Sequence, residues 1–278
     1  MTTMLELLEE AFGLKERPFS KTPDPRFLYL SNTHEEALAR LQYAVEEKEI
    51  VLLTGEIGCG KTTLTRALMD SLDESYRVIY ILNPRLTANQ FVRTVAKRLE
   101  IDIPYNYKDD LLEAVYDRVY QLYEEGITPV IIIDEAQLIP KRETFEEIRL
   151  LSNFQLDHTN LLSIVLVAQP DIRRRLRHRT YAPLKQRIGM FYHLRSLNRD
   201  EVKNYIEHRL RVSGREDELF TQEAIDEVYR FSRGIPRLIN SVANASMLEA
   251  LSREALMVTA EHVKGAAQEL EIDGFSKD

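Results

Sequence analysis

The stretch Ile50-Val-Leu-Leu-Thr-Gly55-Glu-Ile-Gly-Cys-Gly60-Lys61-Thr62-Thr63 decides the fold. An apolar run of strand length enters a glycine-rich turn, and the turn opens a helical pattern over 62–72, which fills every fixed position of the phosphate-loop signature. Glycines let backbone N–H groups turn inward around phosphate oxygens, and a helix N-terminus favours the same anion. Gly55, Gly58, Cys59, Gly60, Lys61, Thr62 and Thr63 are therefore the expected phosphate-binding residues. Lys61 is placed to reach β- and γ-phosphates, and the Thr62 hydroxyl to bind Mg²⁺. Cys59 fits the loop as a small residue. If accessible, its thiol sits where a helix N-terminus lowers its pKa, and alkylation is then expected to weaken ATP binding.

On either side of this loop, β-branched runs at 50–54, 78–82, 130–134, 163–168 and 190–194 read as strands. Patterns of three- and four-residue spacing at 62–72, 88–99, 109–125 and 144–157 read as the helices between them. Alternation of this kind predicts an α/β fold with a five-stranded doubly wound parallel sheet. Past residue 197 the strands stop, and 199–212, 222–231, 236–252 and 259–270 all read as helices, a small helical domain. Ahead of the sheet, Pro18, Pro23 and Pro25 interrupt an aromatic-rich arm carrying Phe12, Phe19, Phe27 and Tyr29. A division follows into an arm and first helix (1–48), a core (49–196) and a helical lid (197–278).

The run Pro129-Val-Ile-Ile-Ile-Asp134-Glu135 delivers two carboxylates to a strand end, where ligands of open α/β sheets bind. Asp134 is read as the Mg²⁺ ligand, and Glu135 as the base that polarises the water attacking a γ-phosphate. Gln169 ends the next strand; it is either a water-orienting amide or a plain strand-end polar residue, and Gln137 is a weaker candidate of the same kind. Arg187 is placed to act as an arginine finger on a neighbouring subunit's nucleotide, with a surface salt bridge as the competing reading. Arg237, opening a helix after Gly234-Ile-Pro236, is placed to touch γ-phosphate in its own subunit. One dense basic run, Asp171-Ile-Arg173-Arg174-Arg175-Leu-Arg177-His178-Arg179, reads either as a solvated helix face, the more frequent case, or as a contact to DNA phosphates or a second subunit.

Composition bounds the rest. The chain has 278 residues, 44% hydrophobic and 29% charged, as in folded soluble proteins, and its net charge of −8 argues against a nucleic-acid footprint over the whole surface. The single cysteine excludes an internal disulfide. Neither a membrane-length apolar run nor a basic leader is found, so a cytoplasmic location is expected.

Taken together, Phe12-Gly-Leu, Arg17-Pro18-Phe19, Pro23-Asp24-Pro25, Phe27-Leu-Tyr29, Ser31 and His34 resemble the ExeA/GspA-like AAA+ ATPases. Asp134-Glu135-Ala-Gln137, Ala168-Gln169-Pro170, Leu184-Lys-Gln-Arg187-Ile and Gly234-Ile-Pro236-Arg237-Leu-Ile-Asn240 look like that family's motifs in its order, over about residues 12–270. The resemblance implies a P-loop AAA+ core with a helical lid, ATP hydrolysis, and rings or filaments with nucleotide at subunit interfaces. It implies sensor one for Gln169, arginine finger for Arg187, sensor two for Arg237, and an arm that covers the adenine. Secretion members typically continue into a transmembrane segment and a peptidoglycan-binding region, neither of which is found before Asp278. Stand-alone relatives of the TnsC-like and MuB-like kind assemble on DNA beside transposases. The expected partners are thus further copies of the chain and either secretion or pilus machinery or DNA with a transposase, with ATP and Mg²⁺ as ligands. A nucleotide-dependent scaffold with little hydrolysis is the remaining alternative.

Overall fold

The computed structural model describes residues 3–20, 24–102, 107–156 and 159–271, so Pro23 and Asp157 lie outside the described residues. The chain divides into two compact units. A sheet unit comprises Thr33–Glu56 and Lys61–Leu194, and a helical unit comprises Met1–Asn32, Ile57–Gly60 and Arg195–Asp278.

In the sheet unit, strands β1 (Ile50–Gly55), β2 (Tyr76–Ile81), β3 (Thr128–Ile133), β4 (Ser163–Ala168) and β5 (Ile188–Leu194) form one five-stranded sheet in the order β2-β3-β4-β1-β5. All four pairings are parallel. Every residue of β1 and β4 is buried, while the edge strands β2 and β5 are only partly so. This is why the central strands read as continuous apolar runs instead of alternating ones: helices cover both faces of a parallel sheet.

The helices, numbered along the chain, are α1 (Met4–Phe12), α2 (Asn32–Glu46), α3 (Lys61–Ser71), α4 (Ala88–Arg98), α5 (Lys108–Glu124), α6 (Arg142–Leu151), α7 (Asp171–Leu176), α8 (Ala182–Arg187), α9 (Arg199–Val212), α10 (Gln222–Ser232), α11 (Pro236–Ser252) and α12 (Ala260–Glu269). Phe91, Val95, Leu111, Val115, Phe145 and Ile148, spaced at helical intervals on α4, α5 and α6, join Ile79, Ile131 and Ile164 of the sheet in the main core.

Helix α6 is shorter than its pattern. Ser152 and Asn153, poor helix formers, make a turn after Leu151, and Gln155–Leu156 instead pairs antiparallel with Thr159–Asn160. The apolar spacing of Phe154 and Leu156 persists because both pack against the same core from the turn and the small hairpin.

The helical unit is built on Val202, Ile206, Phe220, Val228, Ile239 and Val242. Its N-terminal part departs from a plain extended arm. Residues 4–12 are helical, with Thr3 and Glu6 forming a reciprocal capping box. Phe12, Leu14 and Phe19 are buried in this unit's core, with Phe19 edge-on to Phe220 at 5.9 Å. Tyr29 stands edge-on to Tyr205 at 5.9 Å, and the buried Arg209 lies 4.8 Å over the Phe27 ring while donating to the Pro18 carbonyl. Among the described residues, Phe12 and Phe19 thus belong to the helical unit's core and Tyr29 packs against it. The segment read as one arm with the first helix accordingly parts at Asn32, its earlier portion grouping with the helical unit and α2 with the sheet from Thr33 on.

Candidate active site

Parallel pairing of Thr54 with Ala168 and of Ile133 with Leu166 brings the C-terminal ends of β1, β4 and β3 side by side. Gly55, Gln169, Asp134 and Glu135 occupy those ends, so residues far apart in sequence meet at one rim of the sheet.

Asp134 is almost wholly buried, at 1% exposure, and both of its carboxylate oxygens accept hydrogen bonds. Oδ2 accepts the Thr62 hydroxyl at 3.0 Å and the Tyr80 hydroxyl at 3.0 Å, and Oδ1 accepts the Glu135 backbone N–H at 2.8 Å. Burial first, and then the Asp134 charge, push the Tyr80 phenol above its ordinary range, so Tyr80 stays a donor at any working pH. Sequence reading passed over Tyr80. Its signal was that it is the one side chain able to hydrogen-bond in the apolar run 78–82, on the strand paired with β3. Replacing Tyr80 by Phe removes one donor from a buried carboxylate. The expected cost is about 1–2 kcal/mol, visible as a lower melting temperature and weaker Mg²⁺-dependent nucleotide binding; unchanged values for both would remove Tyr80 from the site.

Thr62 and Asp134 together present hard oxygen donors at hydrogen-bond distance, the chemistry that suits Mg²⁺. The Lys61 side-chain nitrogen, in a residue 6% exposed, donates to the carbonyls of Gly55 at 2.8 Å and Glu56 at 2.9 Å, which ties the side chain back onto the end of β1. Thr63 faces outward on α3.

Glu135 has φ of +54°, the left-handed region that a branched or long side chain seldom adopts. The other non-glycine residues with positive φ among those described, Lys48, Glu100, Arg233, Glu254 and Glu271, all follow helix ends, where such a residue closes the last turn. Glu135 alone follows a strand. Its carboxylate accepts from the Gln137 amide and from the Gln169 amide at 3.4 Å, while the Gln137 amide oxygen takes the Gln169 backbone N–H at 3.0 Å. Gln137 thus sits at the centre of the group, a place its sequence position did not disclose.

Within the helical unit, the loop residues 57–60 meet the start of α11. The Arg237 N–H donates to the Gly58 carbonyl at 3.3 Å, and a Cβ added at Gly58 would lie 2.7 Å from the Arg237 Cβ. No side chain larger than hydrogen fits there without displacing one of the two backbones. The Arg237 side chain is exposed, as is that of Arg187 at the end of α8, and neither forms an ion pair among the described residues.

Two expectations change. Cys59 is fully buried, so the condition attached to thiol reactivity is not met and alkylating reagents should not reach it in the folded chain. The basic run is not uniform. Arg175 is structural: it donates to the Ile139 and Pro140 carbonyls and to the Tyr181 hydroxyl, and stacks 4.8 Å over Phe145. Arg174, Arg177 and Arg179 are exposed.

Comparison with known proteins agrees with this architecture. A family described as "AAA domain" matches residues 43–176. General secretion pathway protein A of Aeromonas hydrophila is 38% identical over 265 residues, covering 93% of this chain and 48% of that protein. The chain therefore spans about half the length of this curated relative. Among solved structures, the Aeropyrum pernix ORC2 protein superimposes with a TM-score of 0.66 at 19% identity, covering 91% of this chain and 71% of that one. The Cdc6p protein of Pyrobaculum aerophilum gives 0.67 at 17%, covering 93% and 72%. The Thermotoga maritima RuvB Holliday junction branch migration motor gives 0.58 at 20%, covering 87% and 72%. At these identities the structural likeness speaks for the fold alone. Among the described residues no helix is long and apolar enough to cross a membrane. With a five-stranded P-loop sheet, a strand-end carboxylate pair and this degree of identity, the chain carries an AAA domain over residues 43–176 and is a homologue of the ExeA/GspA-like General secretion pathway protein A.

Proposed function

We propose that this chain binds ATP with Mg²⁺, hydrolyses it, and uses the nucleotide state to control self-assembly and engagement of a macromolecular partner, of the secretion or pilus-assembly kind. The observation that carries the reading is the Thr62–Asp134 hydrogen bond at 3.0 Å beside a Glu135 whose carboxylate is held by two amide donors. In this reading Gly55, Gly58, Cys59 and Gly60 offer the backbone of the phosphate cradle, and Lys61 binds the β- and γ-phosphates. Thr62 and Asp134 hold Mg²⁺, which when bound neutralises phosphate charge. Glu135 accepts the proton of a water attacking the γ-phosphorus as the bond to the ADP oxygen breaks, and Gln169 orients that water. Arg237, whose backbone bonds the phosphate loop at Gly58, reports the γ-phosphate to the helical unit. Arg187, exposed beside the edge strand β5 and without an ion pair among the described residues, is the residue to reach the nucleotide of an adjoining subunit.

A second reading, a DNA-engaging regulator of transposition, is favoured by Arg174, Arg177 and Arg179, three exposed arginines within six residues that form no ion pair among the described residues. The same experiment tests both. Light scattering of the Glu135→Gln variant is measured with ADP, with ATP, and with ATP plus duplex DNA at low salt. Assembly with ATP alone is expected. Assembly only when DNA is added would transfer the proposal to the second reading, and a monomer under all three conditions would remove self-assembly from it.

A further inference from the structure

The turn that follows the carboxylate pair is fastened to β4 and α7 at two places. Leu138 N–H donates to the Glu135 carbonyl at 2.8 Å, closing a 3₁₀ turn over Ala136–Leu138 whose Ala136 is fully buried. From that turn the half-buried Gln137 side chain spans two partners: its amide nitrogen donates to the Glu135 carboxylate, and its amide oxygen accepts the Gln169 N–H at 3.0 Å. Two and three residues after Gln137, the Ile139 and Pro140 carbonyls are clamped by the Arg175 guanidinium from α7, the helix that starts two residues after Gln169.

A carboxylate in the left-handed region just past a strand has no helix or sheet ladder to aim it. Glu135 depends on side-chain hydrogen bonds for direction, and Gln137 is the donor tied at its other end to fixed backbone. We infer that Gln137 is a positioning residue, which uses its bond to the fixed Gln169 backbone to hold the Glu135 carboxylate in the register at which it meets the attacking water. This rests on the proposed hydrolysis. Gln137 touches neither phosphate nor water in this account and acts only through Glu135. A glutamine that merely steadied the turn would leave a different kinetic trace.

The test compares wild type, Glu135→Gln, Gln137→Met and the double variant, reading kcat from steady-state phosphate release, residual turnover from single-turnover assays, ATP affinity from equilibrium titration, and Tm. Methionine keeps the length and volume of Gln137 while removing both hydrogen bonds. The expected result is a fall in kcat of about tenfold to a hundredfold, the size of effect that small misplacement of a reacting group produces, with ATP affinity and Tm unchanged. In the Glu135→Gln background the same substitution should add nothing, because its effect passes through the carboxylate. Wild-type turnover by Gln137→Met, a loss that tracks lowered Tm and affinity, or a full further loss in the Glu135→Gln background each overturns the assignment. Those outcomes leave the hydrolytic reading standing. Unimpaired turnover by Glu135→Gln, or none by the wild-type chain, overturns that reading and the role of Gln137 with it.

Discussion

Substituting Glu135 by Gln is expected to reduce ATP turnover by about three orders of magnitude while leaving ATP affinity within about threefold, the pattern of a group that acts on the transition state alone. Asp134 is buried and both of its oxygens already accept hydrogen bonds, two on Oδ2 and one on Oδ1, so it is tied to Thr62, Tyr80 and the backbone instead of being turned toward an attacking water. The neighbouring Glu135 carries its interactions on one oxygen, Oε2, which accepts from both Gln137 and Gln169. The amide of the variant keeps an oxygen for those donors, so the backbone need not leave its left-handed conformation, and only the basicity is removed. Phosphate release measures the rate and titration with a fluorescent ATP analogue measures affinity. Turnover within a factor of ten of wild type would take Glu135 out of the catalytic role.

Gly234 carries the largest expected effect on stability. Its φ of +71° lies in the left-handed region, and a Cβ built there would stand 1.8 Å from the Leu197 carbonyl oxygen and 2.8 Å from the Leu197 carbonyl carbon. These are backbone atoms, and the Leu197 N–H in turn donates to the Gly234 carbonyl at 2.9 Å, so relief of the clash breaks a hydrogen bond at the start of α9. Backbone strain of about 1–2 kcal/mol in that region adds to the overlap. Gly234→Ala is therefore expected to destabilise the helical unit by about 4 kcal/mol or more, at the diagnostic end of single substitutions. Urea unfolding followed by far-ultraviolet circular dichroism provides the check, and a loss below about 1 kcal/mol would show that the close approach of Gly234 to Leu197 is readily relaxed. Since Gly234 also precedes Pro236 and Arg237, the variant should weaken ATP binding in parallel with its loss of structure.

How legible the chain was depended on whether a feature is local. The phosphate loop, the carboxylate pair and the five strands are continuous in sequence, and their chemistry is tied to spacing, so reading them needs no knowledge of neighbours. The first helix was legible too: Thr3 and Glu6 have capping-box spacing and Gly13 follows its last turn. It lies ahead of the prolines on which the reading of an arm rests, so that reading passes over it. The overlong reading of α6 has a physical cause, since Phe154 and Leu156 face the core from a turn and a hairpin that imitate helical spacing. Arg175 could not be told from its neighbours in the basic run, because whether an arginine is solvated or clamped to carbonyls depends on what lies beneath it.

By itself the sequence determined the α/β order of elements, the glycine-rich loop between β1 and α3 and the acidic strand end, because backbone conformation and burial periodicity are written at short range. Tertiary structure alone decided that Tyr80 and Thr62 converge on one oxygen of Asp134, that Gln137 joins Glu135 to Gln169, that Arg237 meets Gly58, and that Phe12 and Phe19 belong to the core of the helical unit. Each of these is a hydrogen bond or contact between segments far apart in the chain. Such partners are chosen by strand order and by which helix end packs where, and neither composition nor spacing encodes them.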